Sequence, residues 1–214
     1  MSFVELRFLI FFVVFLVITC FLFKGKKPLF LQCIYAGIGC FFLHTFWLFC
    51  NYLWIGVEEQ LHMVVTLSYV SSYLFLFFAS YGALDSLADD GRRENRKYTW
   101  IAVAAGGGVC VVWGIRFVQT FRVHDILLGA CFTLLCFISV KHLIIPDIKD
   151  GFVRTLRPYN AVLLLIVIVS SIELFFSGAE QYRQIDSVIQ LIRDLAVLLL
   201  YPMASKGVRK WTLV

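Results

Sequence analysis

Residues 160–177 read NAVLLLIVIVSSIELFFS: eighteen residues of which one, Glu173, is charged. A helix needs about 20 mainly apolar residues to cross the hydrocarbon of a bilayer, with a range of roughly 17–25. The run is continuous rather than alternating, so it does not read as one of the barrel strands of about ten residues. In lipid a backbone must bond to itself, and a lone segment does that only as a helix. The stretch therefore predicts a transmembrane helix.

Six further runs of the same kind lie near 6–23, 29–50, 61–83, 99–117, 124–145 and 186–204. Together the seven predict an all-α polytopic membrane bundle of seven transmembrane helices, forming a single domain over residues 1–214. The composition agrees. Hydrophobic residues make up 61 % of the chain, charged residues 15 %, and mean hydropathy is +0.86. Soluble domains carry about 45–50 % apolar and about 25 % charged residues. The first run is expected to be a retained helix rather than a cleaved signal. Its leading Arg7 is offset by Glu5, and Lys24, Lys26 and Lys27 follow it at once.

Basic residues set the expected orientation. The segments after the first, third and fifth runs, with the C-terminal tail, hold fourteen of the nineteen Lys and Arg residues. The opposite side holds Arg7, Arg116, Arg122 and Arg183, and Arg193 falls within the seventh run. Cytoplasmic segments concentrate Lys and Arg, so the N-terminus is expected outside and the C-terminus inside. Tyr52, Trp54, Tyr98, Trp100, Tyr159 and Trp211 stand near run ends, where headgroup-level aromatic anchors are expected. The net charge of +5 is clustered between apolar runs, without a hydrophilic basic face, which argues against nucleic acid. The lipid bilayer is the expected partner, and the chain is expected to be a multi-pass protein of the cell or cytoplasmic membrane.

All seven cysteines fall within or at the edge of apolar runs, with no CxxC and no Cys-His metal spacing, and read as packing residues. His44, His62 and His124 share one leaflet, but no HxxxH or HExxH accompanies them. No metal and no cofactor is expected, and a membrane metallohydrolase ranks last among the readings. The fourth run carries Ala102, Gly106, Cys110 and Gly114 at four-residue spacing, a face that allows a neighbouring helix to approach closely. Packing inside the bundle is the expected use of that face, ahead of a dimer seam.

Polar side chains at membrane depth are costly and mark candidate sites. Here they gather in the expected outer half. The candidate ligand-binding set is His44, His62, Tyr69, Arg116, His124, Glu173, Gln190, Arg193 and Asp194. Arg193 lies about 10 Å into its helix at 1.5 Å per residue, so it calls for a partner in Glu173 or Asp194. Glu58, Glu59, His62, His124, Asp125 and Asp186 stand close enough to helix ends to reach headgroup water instead.

Seven spans with an outer N-terminus occur in several unrelated groups, and topology alone names none of them. The seventh run has no lysine for a retinal Schiff base, which excludes a microbial rhodopsin. The four prolines, Pro28, Pro146, Pro158 and Pro202, read as helix-end residues, unlike the mid-helix hinges of SWEET-type sugar transporters. The expected function is a receptor or sensor subunit that takes a small ligand from the outer side and signals to a separate cytoplasmic or membrane protein partner. A small-solute transporter is the alternative, disfavoured by apolar inner halves and unbroken helices. An architectural subunit of a membrane complex is the third reading.

Overall fold

The computed structural model describes residues 3–22, 27–53, 58–82, 96–146, 152–176 and 180–212. They form seven long helices: α1 Phe3–Leu22, α2 Leu29–Leu53, α3 Glu58–Ser80, α4 Arg96–Thr120, α5 Val123–Ile144, α6 Phe152–Phe176 and α7 Arg183–Thr212. A single 3₁₀ turn, Glu180–Tyr182, leads into α7. Among the described residues, α2 to α7 each contain a stretch long and apolar enough to cross a membrane. α1 adds a further 20-residue helix.

The outward faces explain what solvent the fold requires. Leu9, Val13 and Leu16 on α1, Val103, Val111 and Val118 on α4, and Ile192, Leu195 and Leu199 on α7 are all exposed. Apolar surface this continuous is not tolerated in water, and hydrocarbon removes its cost. The chain is a multi-pass helical membrane protein.

α2 and α3, α4 and α5, and α6 and α7 pack as hairpins. α1 leans on α2 and α7, α3 leans on α5, and α5 leans on α6. The helices α2, α3, α5, α6 and α7 thus form a ring closed by direct contact of α2 with α7; α1 packs along the α2–α7 side, and α4 packs against α5, touching α6 lightly. Inside the ring a layer of Phe41, Tyr73, Leu76, Phe132, Leu135, Val167 and Val197 is fully buried. Close approach of helices depends on glycine at several crossings. A Cβ on Gly37 would meet the backbone carbonyl of Ser72 at 3.0 Å, and one on Gly207 would meet that of Thr155 at 2.8 Å.

The structure corrects the sequence reading in several places. Several helices overrun the apolar runs: α7 continues to Thr212 rather than ending near 204, and α6 begins at Phe152 rather than near 160 and contains Pro158. Pro202 likewise lies inside α7. These two prolines are interior positions, not helix ends. Both rings are exposed, so each removes one backbone N–H without a clash in the core. Tyr159 is no headgroup anchor, for it is fully buried and shares a hydrogen bond with Ser80 at 3.1 Å. The half of the bundle where α1 ends is not wholly apolar either: Ser139, Lys141, His142 and Asn160 are buried there.

The small-residue stripe of α4 divides in two. Ala102 and Gly106 are buried, the latter against Thr133 and Phe137 of α5. Cys110 is exposed, as is Gly114, around whose absent side chain the space is open. α4 and α5 are joined by only Phe121 and Arg122, and Phe121 takes the left-handed conformation (φ 53°) that ends many helices, usually with glycine. Its N–H closes the last turn on the carbonyl of Phe117 at 2.7 Å.

Candidate functional site

At the end of the bundle where α1 begins, the ring opens into a cavity of about 340 Å³. Every one of the seven helices lines it. Arg7 comes from α1, His44 and Leu48 from α2, Thr66 and Tyr69 from α3, and Trp113 and Arg116 from α4. The α4–α5 turn adds Arg122, α5 His124 and Asp125, α6 Ser170 and Glu173, and α7 Gln190 and Arg193. Arg122 is exposed and marks the mouth, whereas Arg193 is buried. Below the cavity, Phe41, Tyr73 and Phe132 form its floor, Tyr73 meeting Phe41 edge-on and Phe132 at a tilt.

One wall is a chain of charge-assisted bonds that binds α1, α6 and α7 together. Arg193 donates through Nη1 to Oε2 of Glu173 and through Nη2 to Oδ1 of Asp194, the latter at 3.4 Å. Asp194 also accepts from Nε of Arg7 at 2.6 Å through its other oxygen. Nη1 of Arg7 donates to Oε1 of Gln190 at 2.7 Å, and Nε2 of Gln190 donates to Asp186 at 3.0 Å. Two guanidiniums thus face Glu173 and Asp194 in a buried network, the condition under which charge at membrane depth is tolerated. The Arg193 guanidinium also lies over Tyr69, 5.3 Å from the ring centroid, and over Phe41 at 5.8 Å.

The opposite wall belongs to α4 and α5. Asp125 is buried, accepts a hydrogen bond from Thr120 and lies 3.0 Å from Nε2 of His124. It does not reach headgroup water, as its place near a helix end had led us to expect. Trp113 donates to Ser171 at 3.3 Å and closes the gap to α6. On the α2–α3 side, His44 stacks on Tyr69 with centroids 4.5 Å apart. Nδ1 of His44 donates to the carbonyl of Val65 at 3.1 Å, which turns Nε2 into the imidazole's acceptor.

Of the nine candidates read from sequence, His44, Tyr69, Arg116, His124, Glu173, Gln190 and Arg193 line this one cavity. Asp194 stands behind it, bonded to Arg7 and Arg193. The side chain of His62 lies outside the described residues. Arg7, which the sequence marks only as one of the basic residues of the expected outer side, also belongs to the site. Its partner is 187 positions away, and no local pattern joins the two. Among the described residues, no group of three His, Cys, Asp or Glu side chains is placed to hold a metal ion. All seven cysteines are free thiols.

Two polar atoms belonging to residues that line the cavity, Oγ of Ser170 and Nε of Arg193, are buried without a hydrogen-bond partner among the described residues. An unmet buried polar atom costs about 1–3 kcal/mol. With cationic groups on both walls, carboxylates beside them and aromatic rings below, the cavity suits a small molecule that carries charge and has an apolar face. Comparisons with protein-family models, curated proteins and solved structures gave no match.

Proposed function

We propose that the protein is a seven-span receptor or sensor subunit, with its N-terminus outside, that binds a small charged ligand in the cavity. The carrying observation is convergence: all seven helices contribute to one polar cavity over a closed apolar floor. A ligand touching every helix can shift the balance between two packings of the bundle by its difference in affinity for them. The segments between spans on the opposite side, rich in Lys and Arg, would present that change to a cytoplasmic or membrane protein partner. The ligand-binding set comprises His44, Tyr69, Arg116, His124, Glu173, Gln190, Arg193 and Asp194, to which His62 belongs by sequence and Arg7 by geometry.

A transporter is the second reading, and the buried Ser139, Lys141, His142 and Asn160 favour it. They give the far half of the bundle polar groups that a translocation path could use. Vesicle experiments separate the two. Purified protein is screened by thermal shift against amino acids, carboxylates and amines, and the best compound is then offered in radiolabelled form to proteoliposomes. A receptor binds it without accumulation above empty liposomes, and Ser170→Phe, which fills the cavity, abolishes the thermal shift. Saturable uptake that Ser170→Phe removes would replace the receptor reading with the transporter.

A further inference from the structure

A second large cavity of about 590 Å³ runs along the flank of the bundle between α1 and α7, in the half opposite the charged cavity. Its walls are Val14, Val17 and Ile18 from α1 and Leu198, Tyr201 and Pro202 from α7. At the end where both helices finish, its rim carries Ser205 and three cations: Lys27, Lys206 and Arg209. Among the described residues that line it, none is acidic. Residue numbers rise together along both walls, so α1 and α7 run parallel here, and the crevice follows the membrane normal. Pro202 gives no N–H to the carbonyl of Leu198 one turn back, leaving a carbonyl beside the crevice without its intrahelical donor.

We infer that this crevice is a binding site for one anionic phospholipid, with an acyl chain between α1 and α7 and the headgroup phosphate against Lys27, Lys206 and Arg209. The occupant is fixed by two requirements met at different depths. Along the span it must be apolar, because Val14, Val17 and Leu198 face it. At the rim an anionic group is favoured, because Lys27, Lys206 and Arg209 all line it. A soluble anion meets only the second requirement, and a zwitterionic lipid brings a positive group towards the three cations. An acidic lipid meets both. The inference does not depend on what the charged cavity binds.

The test uses the full chain, purified in mild detergent and examined by native mass spectrometry after titration with phosphatidylglycerol or phosphatidylcholine. One phosphatidylglycerol per chain is expected to persist under conditions that strip phosphatidylcholine. Replacing all three cations (Lys27→Gln, Lys206→Gln, Arg209→Gln) should weaken retention about 100-fold, taking each charge at its usual strength near a lipid surface. Should that variant not be monodisperse, Lys206→Gln alone should weaken it about fivefold. Val17→Trp, which obstructs the apolar part of the crevice and leaves the cations in place, should also weaken retention of the bound lipid. Millimolar inorganic phosphate should leave it in place. Equal retention of the two lipids, unchanged retention in the charge variants, or unchanged retention in Val17→Trp would overturn the site. Displacement by phosphate would reduce it to a soluble-anion site, and the lipid assignment would fall.

Discussion

Arg193 concentrates the residue-scale argument. It is buried, and Glu173 and Asp194 compensate it, but Asp194 is shared with Arg7. The network therefore divides unequally when a member is removed. Arg193→Ala leaves Glu173 uncompensated while Asp194 keeps Arg7, and breaking one partner of a buried pair costs about 3–5 kcal/mol. Arg193→Leu with Glu173→Leu leaves the neutral Arg7–Asp194 pair and is expected to melt, in detergent, within a few degrees of wild type. Arg193→Leu with Asp194→Leu strands Arg7 and Glu173 apart and should melt lower than either. Equal melting of the two double variants would show that the carboxylates are interchangeable and that the observed pairing has no energetic meaning. The need for a partner was legible from depth alone, since a charge some two turns into an apolar helix must be met. The division of partners was not legible. It depends on Arg7, whose helix meets α7 only in three dimensions.

Elements show where hydropathy is a sound guide and where it fails. It locates the hydrocarbon-facing length of each helix but not the helix end, because backbone bonding continues through charged residues in the headgroup layer. That is why α6 extends eight residues before the apolar run, through Arg154, Arg157 and Pro158. Glycine shows the same division between pattern and place. The stripe on α4 has the spacing of a packing face, yet its Gly114, like Gly107 and Gly108 beside the stripe, meets nothing within 4 Å, while Gly207, outside any stripe, is pressed against the carbonyl of Thr155. Gly207→Ala should separate α6 from α7 and lower stability by about 1–3 kcal/mol, the usual cost of overpacking. Gly108→Ala should be neutral or raise the melting temperature slightly, since alanine is the better helix former by about 1 kcal/mol. Paired melts of the two variants in one detergent check this. A larger loss from Gly108→Ala would mean that a second helix covers that face of α4.

At the scale of the whole molecule, the proposed function depends on which side of the membrane the charged cavity faces. In a cysteine-free background, a cysteine near position 56 should react with an impermeant maleimide on intact cells. One within 84–98 should react only after permeabilisation. The reverse pattern would place the cavity on the cytoplasmic side and end the reading of an external ligand. Single-span arguments cannot settle this, since each run is apolar in both directions. Only the distribution of Lys and Arg over the whole chain carries the signal. The convergence of seven helices on one cavity was legible in part, because polar stripes on separate helices are costly unless they meet. The ring order, with α4 outside it and α3 against α5, has no such mark in the sequence. It arises from which faces fit.

The bond between Arg7 and Asp194 also sets a schedule. A ribosome adds about 5–20 residues per second, so α1 precedes the helix that neutralises its arginine by about 10–40 s. During that interval Arg7 has no Asp194 to meet, and α1 can rest in the bilayer only with its guanidinium held at the headgroups or sheltered by the insertion machinery. The last helix to be made then acts as the latch of the first. A chain halted before α7 would leave Arg7 without Asp194 and Glu173 without Arg193, a polar signature by which a cell could recognise it as incomplete.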